Sequence, residues 1–376
     1  MKIHWSNRFI FSLMAFMQFA TLQAQTHHSA KPETFYKRME GTIGSNQKII
    51  SNLKRVGTKI DGNYFYRKVD FDTSDSFSHG FDVYGEISRD KKVSLKEFDN
   101  NEVAFTGIFE DHRFSGQWHS PEDSQLYFLL HEHYPEGSIP MEVHYLQSEA
   151  SMQASNPKAP YAQIELTLVT PNIKEDSTGV GRNILTHIEQ GFFGRKMAAL
   201  NPDSMLIHFE SEFYRQFENQ NRLWNSDAHH AFNWLRSIEM SVVFNSNHLL
   251  CLEYLKHGYS GTGHPVTRIA YQILSLTTGK QLDYDDIFAP DSRKEISRLL
   301  TEKLRKAYQI EGEKPLKTAG FFVNRVSPNA NIYLGGDGIG FVFNQYELAP
   351  PSMGIIDLFL PYNEIQSLLK QDWQNR

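Results

Sequence analysis

The chain of 376 residues carries 44 Asp and Glu against 38 Lys and Arg, a formal net charge of -6. That balance lacks the basic surface that nucleic-acid phosphates require, so a nucleic-acid partner is excluded. Its single cysteine, Cys251, cannot close an internal disulfide, so a hydrophobic core must hold the fold, and a length beyond about 250–300 residues favours two domains.

The N-terminus has the three-part layout of a secretory signal: Lys2 and Arg8, then the apolar run FIFSLMAFMQF from Phe9 to Phe19, then Leu22-Gln23-Ala24. Cleavage is expected after Ala24. The run is broken by Gln18 and is shorter than the roughly 20 apolar residues that span a bilayer, so no membrane span is expected after cleavage. No cysteine stands at the cut for lipid attachment, and the expected location is periplasmic or secreted. Loss of Lys2 and Arg8 leaves 36 basic against 44 acidic residues, or -8.

Residues 34–147 read as an antiparallel all-β meander. Phe81, Val83, Gly85 and Ile87 alternate with Asp82, Tyr84, Glu86 and Ser88, the period of a sheet with one face buried. The same texture recurs at Tyr64–Val69, Phe105–Phe109 and Phe114–Trp118, with turns at Asp61-Gly62 and Asp99-Asn100-Asn101. Gly85, Gly107 and Gly116 inside these runs indicate a strongly curved sheet. The apolar period fails over 148–160 (SEASMQASNPKAP), which reads as a linker.

Residues 161–372 read as a mixed α+β domain. Ile164, Leu166 and Leu168 alternate as a strand, whereas Leu206, Phe209, Phe213 and Phe217 recur at helical spacing. Further strands are expected at 238–244, 249–255 and 269–276. Ser292 and Glu295 form a capping-box pair ahead of a helix over 292–308. Strands near 332–334, 339–343 and 355–360 follow, with Gly335-Gly336-Asp337-Gly338 as a hairpin turn, and Pro361 opens a short last helix ending near Lys370.

Two segments are candidate contacts for a ligand or partner. Tyr259-Ser260-Gly261-Thr262-Gly263-His264 places a hydroxyl near an imidazole, but its spacing does not fit a nucleophile elbow, and a glycine turn displaying Tyr259, Ser260 and His264 is the simpler reading. Tyr346–Gly354 contains Pro350-Pro351, which forbids an interior strand and presents the amphipathic ring of Tyr346 on an edge or loop. His131 and His133 alternate on one strand face, yet no further ligands stand at a recognised spacing, so no bound metal is predicted; Asp283, Asp285 and Asp286 read as turn and cap residues, not a calcium loop. No cofactor is expected. Trp118, Trp224 and Trp234 read as core residues.

Several ordered motifs carry a family resemblance: Leu274-Ser275-Leu276-Thr277-Thr278-Gly279-Lys280, Asp286-Ile287-Phe288, Gly338–Phe343, Tyr346–Pro350 with Gly354, and Leu360-Pro361-Tyr362. Over about 159–370 the chain resembles the C-terminal domain of the RsiV family, which occurs outside the cell in a lysozyme-sensing anti-sigma factor and beside a peptidoglycan deacetylase. The resemblance implies an α+β fold without catalysis of its own. It implies a sensing or binding role in the envelope, with an envelope protein, a lysozyme-like protein or peptidoglycan as partner. A cell-wall-directed hydrolase and a structural envelope component are the alternatives.

Overall fold

The computed structural model describes residues 31–68, 76–78, 80–99, 101–120, 124–153, 155–172, 179–198, 201–224, 232–261 and 263–374. The signal segment at 1–24 lies outside them. The first nine strands are β1 (Thr34–Ile43), β2 (Gln47–Val56), β3 (Lys59–Lys68), β4 (Ser76–Phe77), β5 (Phe81–Ile87), β6 (Lys92–Glu97), β7 (Val103–Glu110), β8 (Arg113–His119) and β9 (Gln125–Glu132). All but the short β4 follow one another antiparallel, as the alternation predicts, and β9 returns to pair with β1, so eight strands close into a barrel.

Closure leaves no free edge. It also explains the strand glycines. A Cβ on Gly85 would stand 1.8 Å from Ser94 O, and one on Gly107 2.2 Å from Ser115 O, so only glycine allows neighbouring backbones to approach this closely where the sheet coils. Inward side chains fill the interior, with Phe105–Phe128 and Phe114–Phe128 edge-on at 5.1 and 4.7 Å. Trp118 packs half-buried against this core, whereas Trp234 is buried in the second half of the chain.

A second sheet runs β10 (Met141–Ser151), β11 (Tyr161–Pro171), β12 (Trp234–Ser246), β13 (Leu249–Ser260), β14 (Val266–Ser275) and β15 (Gln281–Leu282). Helices α1 (Val180–Phe193) and α2 (Pro202–Asn221) cover one face of it. The α2 stripe matches the predicted spacing, and Asn201 caps it by accepting from Ser204 N at 2.9 Å. The segment 148–160 is not a linker between the two halves: 148–151 complete β10, and the remainder turns the chain into β11, its antiparallel neighbour. Its polar composition reflects an edge strand and a tight turn. The halves are joined earlier, between β9 and β10.

The rest comprises α3 (Tyr284–Ile287), α4 (Arg293–Ala307), a three-stranded sheet of β16 (Ile332–Leu334), β17 (Gly338–Phe343) and β18 (Ile356–Pro361), then α5 (Tyr362–Ile365) and α6 (Gln371–Gln374). The glycine turn at 335–338 closes the β16–β17 hairpin as expected, with Gly335 N donating to Gly338 O at 2.9 Å. Helix 292–308 forms, but Ser292 does not cap it: its hydroxyl donates to Ala289 O at 2.6 Å and lies 2.8 Å from the Tyr284 hydroxyl. The capping box belongs instead to Asp283 and Asp286 at the start of α3.

Side chains from the outer face of β1–β3 fasten the barrel to β12. Strand β11 pairs with β12 only as far as Glu239, so beyond it the carbonyls of β12 need other donors. Lys54 Nζ donates to Met240 O at 2.9 Å, Asn63 Nδ2 to Val243 O at 2.9 Å, and Arg38 Nε to Asn245 O at 2.8 Å. A bulge between Val242 and Phe244 turns two successive carbonyls towards Asn63. On the far side, Asn331 and Asn344 play the part of a strand neighbour for β14. Their amides accept from Tyr271 N at 2.9 Å and Ile269 N at 2.8 Å, and both donate to Ile269 O.

Candidate functional site

A cleft of about 110 Å³ lies where the barrel, the second sheet and the three-stranded sheet meet. The barrel contributes Asp61, Asp82 and Asp99; the second sheet contributes Glu253 and Tyr271; the third contributes Tyr333 and Asp357. Five of the lining residues are carboxylates and none is Lys, Arg, His or Cys, so the wall is chemically one-sided.

Strand pairing puts these groups in line. Glu253 and Tyr271 are direct cross-strand partners in β13 and β14, and the Tyr271 hydroxyl donates to Glu253 at 2.6 Å. Tyr333 lies 4.9 Å from Tyr271, ring to ring, and donates to Asp357 at 2.9 Å. Gly340 opposite Tyr333 is required for this, since a Cβ there would stand 1.9 Å from the ring. Burial, reinforced by the Glu253 charge at Tyr271 and the Asp357 charge at Tyr333, pushes both phenols far above their ordinary range. They therefore stay protonated and donate. Asp61 is tied to Lys54 at 3.3 Å, which anchors one wall to the barrel–sheet junction. Each carboxylate offers about four acceptor positions, so such a wall suits a ligand bearing several N–H donors.

The two segments singled out in the sequence lie elsewhere. Tyr259 and Ser260 end β13; Gly261 and Gly263 adopt φ of 81° and 78°, the turn conformation expected of them. Thr262 lies outside the described residues. His264 is exposed and, among the described residues, makes no hydrogen bond to Ser260. Tyr346 is 62% exposed with φ 70°, and Pro350 leads into a short 3-10 turn at Pro351–Met353. The first segment rests on α2 and Phe232, the second beside Phe322, and no hydrogen bond or ring contact among the described residues joins them. His133, just past the end of β9, has its Nδ1 2.9 Å from Glu40, and no group of three or more candidate metal ligands occurs among the described residues.

The sequence held one usable signal for the cleft: Glu253 and Asp357 interrupt apolar strands, where a carboxylate is costly unless something binds it.

Residues 285–363 match the DUF3298 family model, described as a protein of unknown function. The DUF3298 segment runs from α3 through β18 and supplies Tyr333 and Asp357 to the cleft. A crystal structure of a DUF3298 family member from Bacteroides fragilis NCTC 9343 is similar to this chain at TM-score 0.55 and 18% identity, covering 62% of this chain and 95% of that one. A DUF3298 family protein from Pseudomonas aeruginosa PAO1 aligns at TM-score 0.44 and 14% identity, covering 63% and 98%. At these identities the first likeness speaks for the fold alone. No curated protein matches the sequence.

Proposed function

We propose that this is an exported, non-catalytic binding protein of the cell envelope, with an RsiV-type sensing domain, that captures a cationic group in the cleft between its barrel and its DUF3298 segment. The observation that carries this reading is the wall of five carboxylates, two of them held by protonated tyrosines, in a space of about 110 Å³. Pockets for drug-sized ligands run about 300–1,000 Å³, so the space suits the end of a side chain and not a polysaccharide segment. This size favours a binding protein over a cell-wall hydrolase, which must seat a sugar ring between its carboxyls. A lysine or arginine on a lysozyme-like protein, or an amine on a peptidoglycan peptide, has the complementary chemistry.

The test is calorimetric titration of the purified chain with a lysozyme and, separately, with amine-bearing peptidoglycan fragments. Binding should weaken with salt and fall at least tenfold in Asp357→Asn. No heat from either partner at high concentration, or equal affinity in the variant, would refute the reading.

A further inference from the structure

A second, oppositely charged feature lies on the helix-covered face of the second sheet, away from the cleft. Three cations from successive strands share that face: Arg236 on β12, Lys256 on β13 and Arg268 on β14. Lys256 is directly opposite Arg268, and Arg236 is directly opposite Gly258, two residues along from Lys256. In an acidic protein this is a local reversal of sign. No ion pair holds any of the three among the described residues.

Arg236 is the unusual member. Its half-buried guanidinium lies over the rings of Phe209 and Phe213 at 5.7 and 5.3 Å, and among the described residues no acceptor satisfies its five N–H groups. Lys256 donates to the carbonyls of Gly191 and Phe192 at the end of α1, so it is held in place beside Arg236. Burial lowers both cations below their ordinary ranges, and Arg236 lowers Lys256 further. Trp234, on the same face two residues before Arg236, is buried with its indole N–H unpartnered among the described residues.

The backbone at Gly258 leaves space beside Arg236 among the described residues. Gly258 carries no left-handed backbone angle, and a Cβ there would meet nothing closer than Leu235 O at 3.7 Å. Neither crowding nor backbone conformation demands glycine, and its effect is to leave room next to the guanidinium. Ser260, in the segment flagged from the sequence, continues the same face of β13.

We propose that Arg236, Lys256 and Arg268 form an oxyanion-binding site, with the Gly258 gap admitting a carboxylate or phosphate group to the unpaired guanidinium. An arginine presents two parallel N–H donors to such a group, and the flanking cations supply the remaining charge.

Inorganic phosphate and succinate, each against chloride at matched ionic strength, are titrated into the purified chain by calorimetry and thermal melting. At least one should bind and raise the melting midpoint; which one responds identifies the oxyanion. Arg236→Met, which keeps an apolar stem on the two phenylalanines, should abolish the effect, and Gly258→Leu, which alters no charge, should weaken it at least tenfold. Asp357→Asn should leave it intact, separating this site from the cleft. No response to either anion, or an unchanged response in Arg236→Met, overturns the proposal.

Discussion

Replacing Arg38 with Met tests how the two halves of the molecule are held together. Arg38 is 1% exposed, and its guanidinium donates to Asn245 O at 2.8 Å, His133 O at 2.8 Å and Ser246 Oγ at 3.0 Å while pairing with Glu40 at 2.6 Å. Methionine fills much of the same volume, so the loss is chiefly polar. Two carbonyls lose their donor at about 1–3 kcal/mol each if buried, and Glu40, still partly hydrated, loses its nearest cation. Burying the arginine itself carries a desolvation cost that methionine avoids, which offsets part of this sum. A net destabilisation of about 3–5 kcal/mol is expected. Urea unfolding followed by far-ultraviolet circular dichroism and by tryptophan fluorescence should give one shared transition in the parent chain. In the variant the midpoint should fall, with the two probes separating as the halves uncouple. A midpoint loss below about 1 kcal/mol, with the probes still coincident, would show that these bonds do not couple the halves.

Other outcomes follow from the same geometry. Asn331→Ala removes the amide that accepts from Tyr271 N and donates to Ile269 O and Val342 O, and should cost about 2–3 kcal/mol by denaturant titration; an effect under 0.5 kcal/mol would deny its strand-like role. Glu40 is pushed up by burial but held below the usual carboxylate range overall by Arg38 and His133. Its contribution is therefore full above the ordinary value of 4.5 and is lost as pH falls through the lower folded value; Glu40→Gln should flatten the stability profile below pH 4.5, and an unaltered profile would contradict the assignment. Burial pushes the Cys251 thiol up to about 12, so a thiol reagent at pH 8 should label the native chain only on opening, and rapid native labelling would contradict its burial. Gly107→Val should prevent barrel closure, read as loss of the native β-sheet spectrum, because its side chain would strike Ser115 O.

Much of the architecture was legible in local periodicity. Val83 and Ile87 alternate inward as read, and Phe213 and Phe217 lie on the buried stripe of α2. Closure of the barrel was not legible, because pairing of β9 with β1 joins residues about ninety apart and leaves no local mark. Residues 148–151 misled because an edge strand beside a turn tolerates Ser and Ala as readily as a linker does. Ser292 misled because the capping pattern records only spacing, whereas its hydroxyl is claimed by Ala289 O. The cleft was hidden for a related reason: Asp61, Glu253 and Asp357 lie far apart in sequence, and each looks ordinary by itself. The Tyr259–His264 and Tyr346–Gly354 segments were visible as turns, since Gly261, Gly263 and Gly354 require that backbone, but turn chemistry says nothing of what they touch.

The first strand occupies a peculiar position in the history of each molecule. It borders β2 on one side, waits for β9 on the other, and through Arg38 reaches a carbonyl at position 245. A ribosome delivers β1 earliest and its last partner more than two hundred residues later. Until β9 emerges about ninety residues on, the seam stays ajar with Met39 wetted, and Arg38 lacks its β12 acceptor for longer still, an interval in which an unpaired strand invites self-association.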